Sequence, residues 1–463
     1  MSYLLKNGLL PPGSDSPSRV ASAIKKDMER DIPPNRNLGS FICTQHSAAA
    51  TELICSNFFK NQACVEEYGT VSEYLDQCIS ILSRLWNSGE NELPVGAATT
   101  GSSEGIMLAG LAMKRAWEEK KNAVGRRPNV IVGSNAHTCI FKFTTYFDVE
   151  ARVVPVNACS GFAMAPLGVR QRLDQETVGV FLTLGSTFTG HYDPVQEIGQ
   201  CLDDYERQTG HFIPIHVDAA SGGFVAPFDP ACDNVIWDFR VRQVRSINAS
   251  GHKFGFSPCA VGWLVWRDQS CIPPRLLMES VYLRGTQTAF TLSFSRSYAP
   301  VIVQYFNFHS LGNKGYQERM ATLLSGAGRL SSELNGSGYF RCISPGHEPS
   351  PQIEKQERMI CLCHEINCPS YRTSQPPSAT GLPVVVFTLS DTFAAQHPQV
   401  TISDLSDRVY HKGFSIPYYA LPYWGPDGRG IDVLRVVVRQ DIVPQLSIIY
   451  DLLTHEIRQL CKE

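Results

Sequence analysis

The chain has 463 residues, 43% hydrophobic and 18% charged, a balance that suits a soluble globular protein with a sizeable core and excludes a disordered one. Lys and Arg number 41 against 44 Asp and Glu, a formal net charge of -3, so the chain carries no electrostatic footprint for nucleic acid or an acidic membrane, and a small-molecule substrate is expected. No apolar run approaches a membrane span, and Lys6, Gly8 and Pro11 interrupt the apolar start where a secretory signal would be continuous. The 15 cysteines, an odd number scattered along a long chain, predict reduced thiols and a cytoplasmic setting.

In chain order, residues 1–45 are rich in Pro, Ser and Asn and read as an arm, with AIKKDMERD forming one short helix. A helical spacing of apolar residues then runs through VSEYLDQCISILSRLW. Gly101 to Lys121 predicts a helix opened by a Gly-Ser-Ser turn, and PNVIVG, TVGVFLTLGS, HFIPIHVDAA and VGWLVW predict buried strands, with EIGQCLDDYERQTG as a helix between two of them. Such alternation predicts an α/β domain over 46–300 with a mainly parallel sheet covered on both faces. Residues 301–463 read as a smaller α+β domain containing the helix YQERMATLLSGAGRLSSEL, the strands GLPVVVFTLSD and VLRVVVR, and a last helix, QLSIIYDLLTHEIRQL. A Pro/Ser-rich surface insertion is expected at about 345–383. It carries Cys361, Cys363, His364 and Cys368, but Cys-x-Cys is tighter than the usual zinc spacing and no second pair follows, so no metal is expected.

Three features converge on one chemistry. Lys253 stands in NASGHKFG, among glycines and small hydroxyl residues, where a turn can present an amine. Asp218 ends the apolar run of HFIPIHVD, the end at which α/β sheets place their ligands. GSSEG at 101–105 opens a helix with hydroxyls and free backbone N–H groups, which suits a phosphate. A lysine for a Schiff base, an acid for a pyridine nitrogen and a phosphate cradle are together what pyridoxal 5'-phosphate requires, and His137, just after PNVIVG, is placed to cover the ring.

With these residues in place the chain resembles the group II pyridoxal-phosphate decarboxylases, and among them the glutamate decarboxylases, as a divergent member. NLGSF, GSSEG, FDVE, GSTFTG, HVDAASGGF, WDFR, NASGHKFG and FSR fall in family order. The resemblance implies the fold type I architecture of the pyridoxal-phosphate-dependent transferases, with a seven-stranded, mostly parallel sheet, a smaller C-terminal domain and a homodimer sharing its active sites. It implies Lys253 as the Schiff-base lysine and Asp218 as partner of the pyridine nitrogen. Ser102, Ser103, Ser250 and His252 would hold the phosphate, with Ser295 reaching it from the neighbouring subunit. Thr187 would contact the cofactor or reacting carboxylate, Ala220 would lie beneath the ring and His137 above it. Arg435 would grip the substrate carboxylate, and Tyr282, on a flexible segment with Arg284, Gly285 and Thr286, would return a proton to the quinonoid carbon. Ser40, Phe41 and Asn61 match the pocket for a distal acid group, whereas Cys64 stands where the family has aspartate and His137 where it has glutamine.

The function implied is α-decarboxylation of an acidic amino acid, glutamate or a relative. The same residues leave open an enzyme that forms a carbon–carbon bond from the quinonoid, or a silent binding subunit. After its last predicted helix the sequence shows neither a basic, Trp-containing calmodulin-binding tail nor a histidine-bearing terminus, and neither form of regulation is expected.

Overall fold

The structure, a computed structural model, describes residues 13–89, 94–121, 125–282, 285–346, 380–421 and 430–462. Helix α1 (Pro17–Met28) buries none of its residues. Ser47 caps α2 (Ala48–Asn57) by accepting the Ala50 N–H, and α3 (Gly69–Leu85) turns Val71, Cys78, Ile79 and Leu82 inward at helical spacing.

Seven strands follow: β1 (Val95–Thr99), β2 (Asn129–Gly133), β3 (Glu150–Val154), β4 (Thr177–Thr183), β5 (Ile215–Asp218), β6 (Val244–Ser250) and β7 (Gly262–Trp266). They form one sheet in the order β1-β7-β6-β5-β4-β2-β3. β7 runs antiparallel to β1 and β6, and the remaining pairs are parallel. Every residue of β2, β4, β5 and β7 is buried, which requires cover on both faces. Helices α4 (Ser102–Lys121), α5 (Thr138–Tyr146), the short α6 (Pro166–Arg170) and α7 (Val195–Thr209) are interleaved with these strands along the chain. The next two strands, β8 (Met278–Tyr282) and β9 (Gly285–Ala289), make an antiparallel hairpin where a flexible segment was anticipated, and Arg284 lies outside the described residues.

Helix α8 (Ala299–Gly336) begins well before the predicted YQERM stretch and bends at Gly312, whose φ of 57° only glycine adopts readily. Its first part packs on α2 and α3 and its last part on a second, antiparallel sheet, so it contributes Val301 and Leu323 to one hydrophobic core and Leu330 and Leu334 to the other. The second sheet has the order β10-β11-β13-β12, from β10 (Phe340–Cys342), β11 (Val384–Leu389), β12 (Tyr418–Leu421) and β13 (Ile431–Val437). Helices α9 (Asp391–Gln396), α10 (Ile402–His411) and α11 (Leu446–Leu460) complete it. A large, mostly parallel seven-stranded sheet with a smaller antiparallel one is the fold type I architecture.

Of the insertion expected at about 345–383, residues 347–379 lie outside the described residues. Pro345 and Thr380 to Pro383 are not surface chain: Leu382 is buried, its N–H donates to the Gly190 carbonyl at 3.0 Å, and a Cβ on Gly381 would strike the Pro345 ring. The cysteines and histidine proposed and rejected as zinc ligands lie outside the described residues.

The segment after α1 is tied to the second sheet by one side chain. Arg439, just past β13, donates to the carbonyls of Pro34 (3.0 Å), Asn37 (2.9 Å) and Ser40, and pairs with Asp441 at 3.0 and 3.1 Å. Both partners are about 95% out of water, so removing one leaves the other charged and unpaired. Arg439→Ala is expected to destabilise the fold by about 3–5 kcal/mol, and to open residues 34–41 to proteolysis. Arg439→Lys keeps the charge but loses the fork of donors and should fall between; unfolding midpoints and cleavage rates that match wild type would refute the clamp.

Candidate active site

The site forms where β5 and β6 end side by side. Asp218 is the last residue of β5, and its Oδ1 accepts the Ala220 N–H and the Asn248 side-chain N–H, both at 3.1 Å. Lys253 follows β6 in a tight turn, its N–H donating to the Ser250 carbonyl. Its Nζ donates to the Ser221 hydroxyl at 3.0 Å. Burial holds the Lys253 amine below its ordinary pKa, and Arg435 works in the same direction against Asp218 and Cys139. A lysine in that state presents more free amine at neutral pH, which a nucleophile needs.

Next to this pair, α4 begins with Ser102 and Ser103, whose N–H groups open the helix and so lack an acceptor within it. The Ser102 and Ser250 hydroxyls face each other at 2.7 Å. The His252 ring donates from Nδ1 to the Val261 carbonyl at 3.0 Å, which turns its edge toward Gly101. Gly262 allows this turn to sit down on β7: a Cβ there would come within 2.4 Å of the Gly101 carbonyl carbon. Glu104, also buried, accepts from the Thr100 N–H (2.7 Å) and from the N–H groups of Leu292 (2.8 Å) and Ser293 (3.1 Å), and so joins the turn to the chain that leads to Ser295.

His137 caps α5 through its ring. Nδ1 accepts the Cys139 N–H at 3.2 Å and lies 3.0 Å from the Cys139 thiol, so the proton of the neutral ring sits on Nε2. Loss of hydration holds its pKa below the ordinary value, Lys253 and Lys142 add to the effect, and Asp218 opposes it. The Cys139 thiol is itself pushed up to about 12 by burial. His137 is thus a neutral donor.

Opposite stands Arg435 on β13. It donates to the Thr187 carbonyl and, at 2.9 Å, to that of Gly39, and its guanidinium lies 4.8 Å from the Phe41 ring and 5.6 Å from that of Tyr419. Lys253 Nζ lies 5.1 Å from the same Phe41 ring. Among the described residues Arg435 has no carboxylate partner, and its Nε is buried without an acceptor.

The structure therefore gathers Lys253, Asp218, Ala220, Ser250, His252, Ser102, Ser103, His137, Thr187, Phe41, Ser40 and Arg435. It does not gather Asn61, Cys64 and Ser295 with them. Asn61 Oδ1 accepts the N–H groups of Ala63 and Arg296, Asn61 Nδ2 reaches the Ser295 hydroxyl at 3.4 Å, and the Cys64 N–H donates to the Asn61 carbonyl. These three form a cluster of their own. Tyr282 ends β8, paired with Gly285, and its side chain lies outside the described residues. Sequence reasoning passed over Ser221, Cys139, Glu104 and Tyr419; the first three stand inside or beside motifs already singled out, and Tyr419 carried no local signal.

The residues fit pyridoxal phosphate on their own chemistry: an amine with depressed basicity, a carboxylate whose Oδ2 accepts from no donor among the described residues, and a serine-lined helix start closed by glycines. Comparison with known proteins agrees. Residues 35–351 match the family model described as the pyridoxal-dependent decarboxylase conserved domain. The chain is 37% identical to a glutamate decarboxylase of Saccharomyces cerevisiae, over 92% of this chain and 74% of that one, and 36% identical to one of Aliivibrio fischeri, over 93% and 84%. A solved glutamate decarboxylase of Lactobacillus brevis superposes with a TM-score of 0.86 at 31% identity, covering 99% of this chain and 96% of the other. The chain belongs to the group II pyridoxal-phosphate-dependent decarboxylases, in the glutamate decarboxylase family, and is a carboxy-lyase acting on an amino acid with pyridoxal phosphate as cofactor.

Proposed function

We propose that the protein removes the α-carboxylate of an acidic amino acid, glutamate or a close relative, as a homodimer whose subunits share their active sites. The observation that carries this reading is Arg435, a buried guanidinium with no carboxylate beside it among the described residues, against the same aromatic ring as the Lys253 amine. An isolated cation out of water is costly until an anion joins it, and a substrate carboxylate fits its planar fork.

Each residue then has a task. Lys253 would hold the cofactor through its amine, and that amine, buried and of lowered basicity, could also serve as a base beside the substrate. Asp218 keeps the pyridine nitrogen protonated. Ser102, Ser103, Ser250 and His252 would hold the phosphate, Ala220 would support the ring, and His137, a donor at Nε2, would pack against it, while Thr187, fixed by Arg435, would meet the reacting end of the substrate. Bound there, pyridoxal phosphate supplies an electron sink for the pair left behind when carbon dioxide departs. Tyr282 returns the proton to the α-carbon.

A dimer is supported by where the remaining residues stand. Phe59 is 88% exposed and Phe58 61%, beside Ser297, which donates to the Phe58 carbonyl, while Leu292 and Phe294 are about half exposed. A second copy on this apolar face would cover it and carry the Asn61, Cys64 and Ser295 cluster toward its own site. The described cysteines are all free, which supports a cytoplasmic setting.

Lys253→Ala is expected to leave a folded protein that no longer retains cofactor after borohydride reduction and shows no carbon dioxide release. A reduced adduct on another lysine, found by peptide mass spectrometry, would displace Lys253 from its role.

Tyr282→Phe should spare cofactor binding yet suppress amine formation, in air diverting product toward aldehyde with ammonia and peroxide. An unchanged amine yield would show that another group delivers the proton.

Offered a panel of amino acids, the enzyme is expected to decarboxylate glutamate, aspartate or cysteine sulfinate in preference to aromatic ones, and Cys64→Asp to raise the share of glutamate. Restoring one polar contact in a buried pocket is worth about 1–3 kcal/mol, roughly tenfold to a hundredfold in preference. A wild-type enzyme that favours tyrosine or tryptophan would sink the acidic-substrate reading.

A further inference from the structure

Strand β6 is buried along most of its length, yet every second residue toward its end is polar: Ser246, Asn248 and Ser250. Alternation places these three on one face, with Ile247 and Ala249 in the core on the other. The neighbouring strand β5 shows the same face in His216 and Asp218, and the parallel register sets His216 beside Ser246 and Asp218 beside Asn248. All four are withdrawn from water: His216 and Asn248 are 0% exposed, Ser246 2% and Asp218 3%. Such groups persist only when their hydrogen bonds are made.

They are made in one continuous run. Ser246 Oγ lies 2.8 Å from His216 Nδ1, His216 Nε2 lies 2.7 Å from Asn248 Oδ1, and Asn248 Nδ2 lies 3.1 Å from Asp218 Oδ1. The directions follow from the far end. Oδ1 already accepts the Ala220 N–H, so it is an acceptor, and Asn248 donates to it with its amide nitrogen. The Asn248 oxygen must then accept from His216 Nε2–H, which leaves Nδ1 as an acceptor for the Ser246 hydroxyl. Each donor in the run meets one acceptor, and the imidazole that completes it is neutral.

The surroundings of His216 agree. The Phe181 ring stands edge-on at 5.4 Å, and among the described residues the charged group acting on His216 is Asp218. Burial pushes the His216 pKa down to about 4, with Asp218, Asn248 and Ser246 pulling it back up.

We propose that Ser246, His216 and Asn248 form a buried relay of positioning residues that fixes the orientation of Asp218. The inference rests on the assignment of Asp218 to the pyridine nitrogen made above. With both donors found among the described residues on Oδ1, Oδ2 would be left for the cofactor. A neutral histidine behind the amide polarises the run without adding a cation that would compete with the pyridinium for the carboxylate. The relay acts through Asp218 and touches no reacting atom, so its loss is felt in how firmly the cofactor is held and in kcat, with KM little changed.

Two measurements test it. In the holoenzyme labelled with nitrogen-15 histidine, His216, assigned by comparison with His216→Gln, is expected to be neutral with its proton on Nε2 from pH 6 to 8. A proton on Nδ1, or an imidazolium in that range, would overturn the relay, and this readout needs no variant beyond the one used for assignment.

In the second, cofactor loss from the holoenzyme during dialysis is followed by absorbance. Asn248→Ala removes the donor to Asp218 and should speed that loss and lower kcat by roughly tenfold to a hundredfold. In an Asp218→Asn background the same change should add nothing, whereas a residue that only supports the fold would add its full loss and overturn the proposal. Should Asn248→Ala fail to fold, Ser246→Ala deletes only a hydroxyl; it is expected to speed cofactor loss by a smaller factor, and no change would count against the relay. If Asp218→Asn itself left cofactor retention untouched, the assignment of Asp218 would fall as well. If Asp218→Asn is severe but the Asn248 and Ser246 variants are inert, the relay alone fails.

Discussion

A carboxylate held out of water at the end of a parallel strand is stable only if its neighbours are arranged to receive it, and much of this molecule can be understood as that arrangement. Asp218 needs donors, so the strand beside it gives up one face of the core to Ser246, Asn248 and Ser250. Those side chains can face Asp218 because β5 and β6 are in a fixed parallel register, and that register is held by Val217, Ile247 and Ala249 packed on the opposite face. The turn that presents Lys253 grows out of the same strand end, and the Ser250 hydroxyl meets the serine that opens α4. Amine, acid and phosphate cradle are thus consequences of where β6 stops.

The second sheet contributes charge of the opposite sign. Arg435 and Arg439 lie four residues apart at the end of β13, and both donate to backbone carbonyls of the segment between Pro34 and Ser40. Among the described residues Arg439 is matched by an internal carboxylate, Asp441, and Arg435 is not. One arginine neutralised in place secures the segment, and the other, flanked by Phe41 and Tyr419 and without a counter-ion among the described residues, is the one proposed to meet a ligand. Burial pushes the Tyr419 hydroxyl up to about 12, so it stays neutral and brings no competing negative charge to Arg435.

The architecture and the heart of the site were legible in the sequence because their signals are local. β2, β4, β5 and β7 fall in short, mostly apolar runs that are buried throughout, and Lys253, Asp218 and Ser102 sit in short stretches that point jointly to one cofactor. What stayed hidden depends on partners distant in the chain. β6, with the sequence VRSINAS, looks like a polar turn until His216, Asp218 and Ser102 are placed against it. Arg439 carries no sign that its acceptors lie some four hundred residues earlier. The ends of the insertion seemed to belong to its Pro/Ser-rich middle, whereas Leu382 is held by packing beside Gly185 and Gly190. The start of α8 was missed because helical spacing is blurred where a helix is buried on several sides.

The clamp on residues 34–40 also constrains how the protein is made. Gly39 waits for Arg435, 396 positions later, and Asn37 for Arg439, 402 positions later. On a translating ribosome the segment emerges some four hundred residues ahead of the donors that meet its acceptors. The seven-stranded sheet can assemble before then, since its strands lie between residues 95 and 266. Phe41 and Ser40, however, cannot be drawn under Arg435 until β13 has left the exit tunnel, so a nascent chain with its cofactor lysine already in place would still lack the arginine that meets the substrate. Contacts of such long sequence separation form slowly, and the order of synthesis places completion of the pocket after assembly of the large sheet.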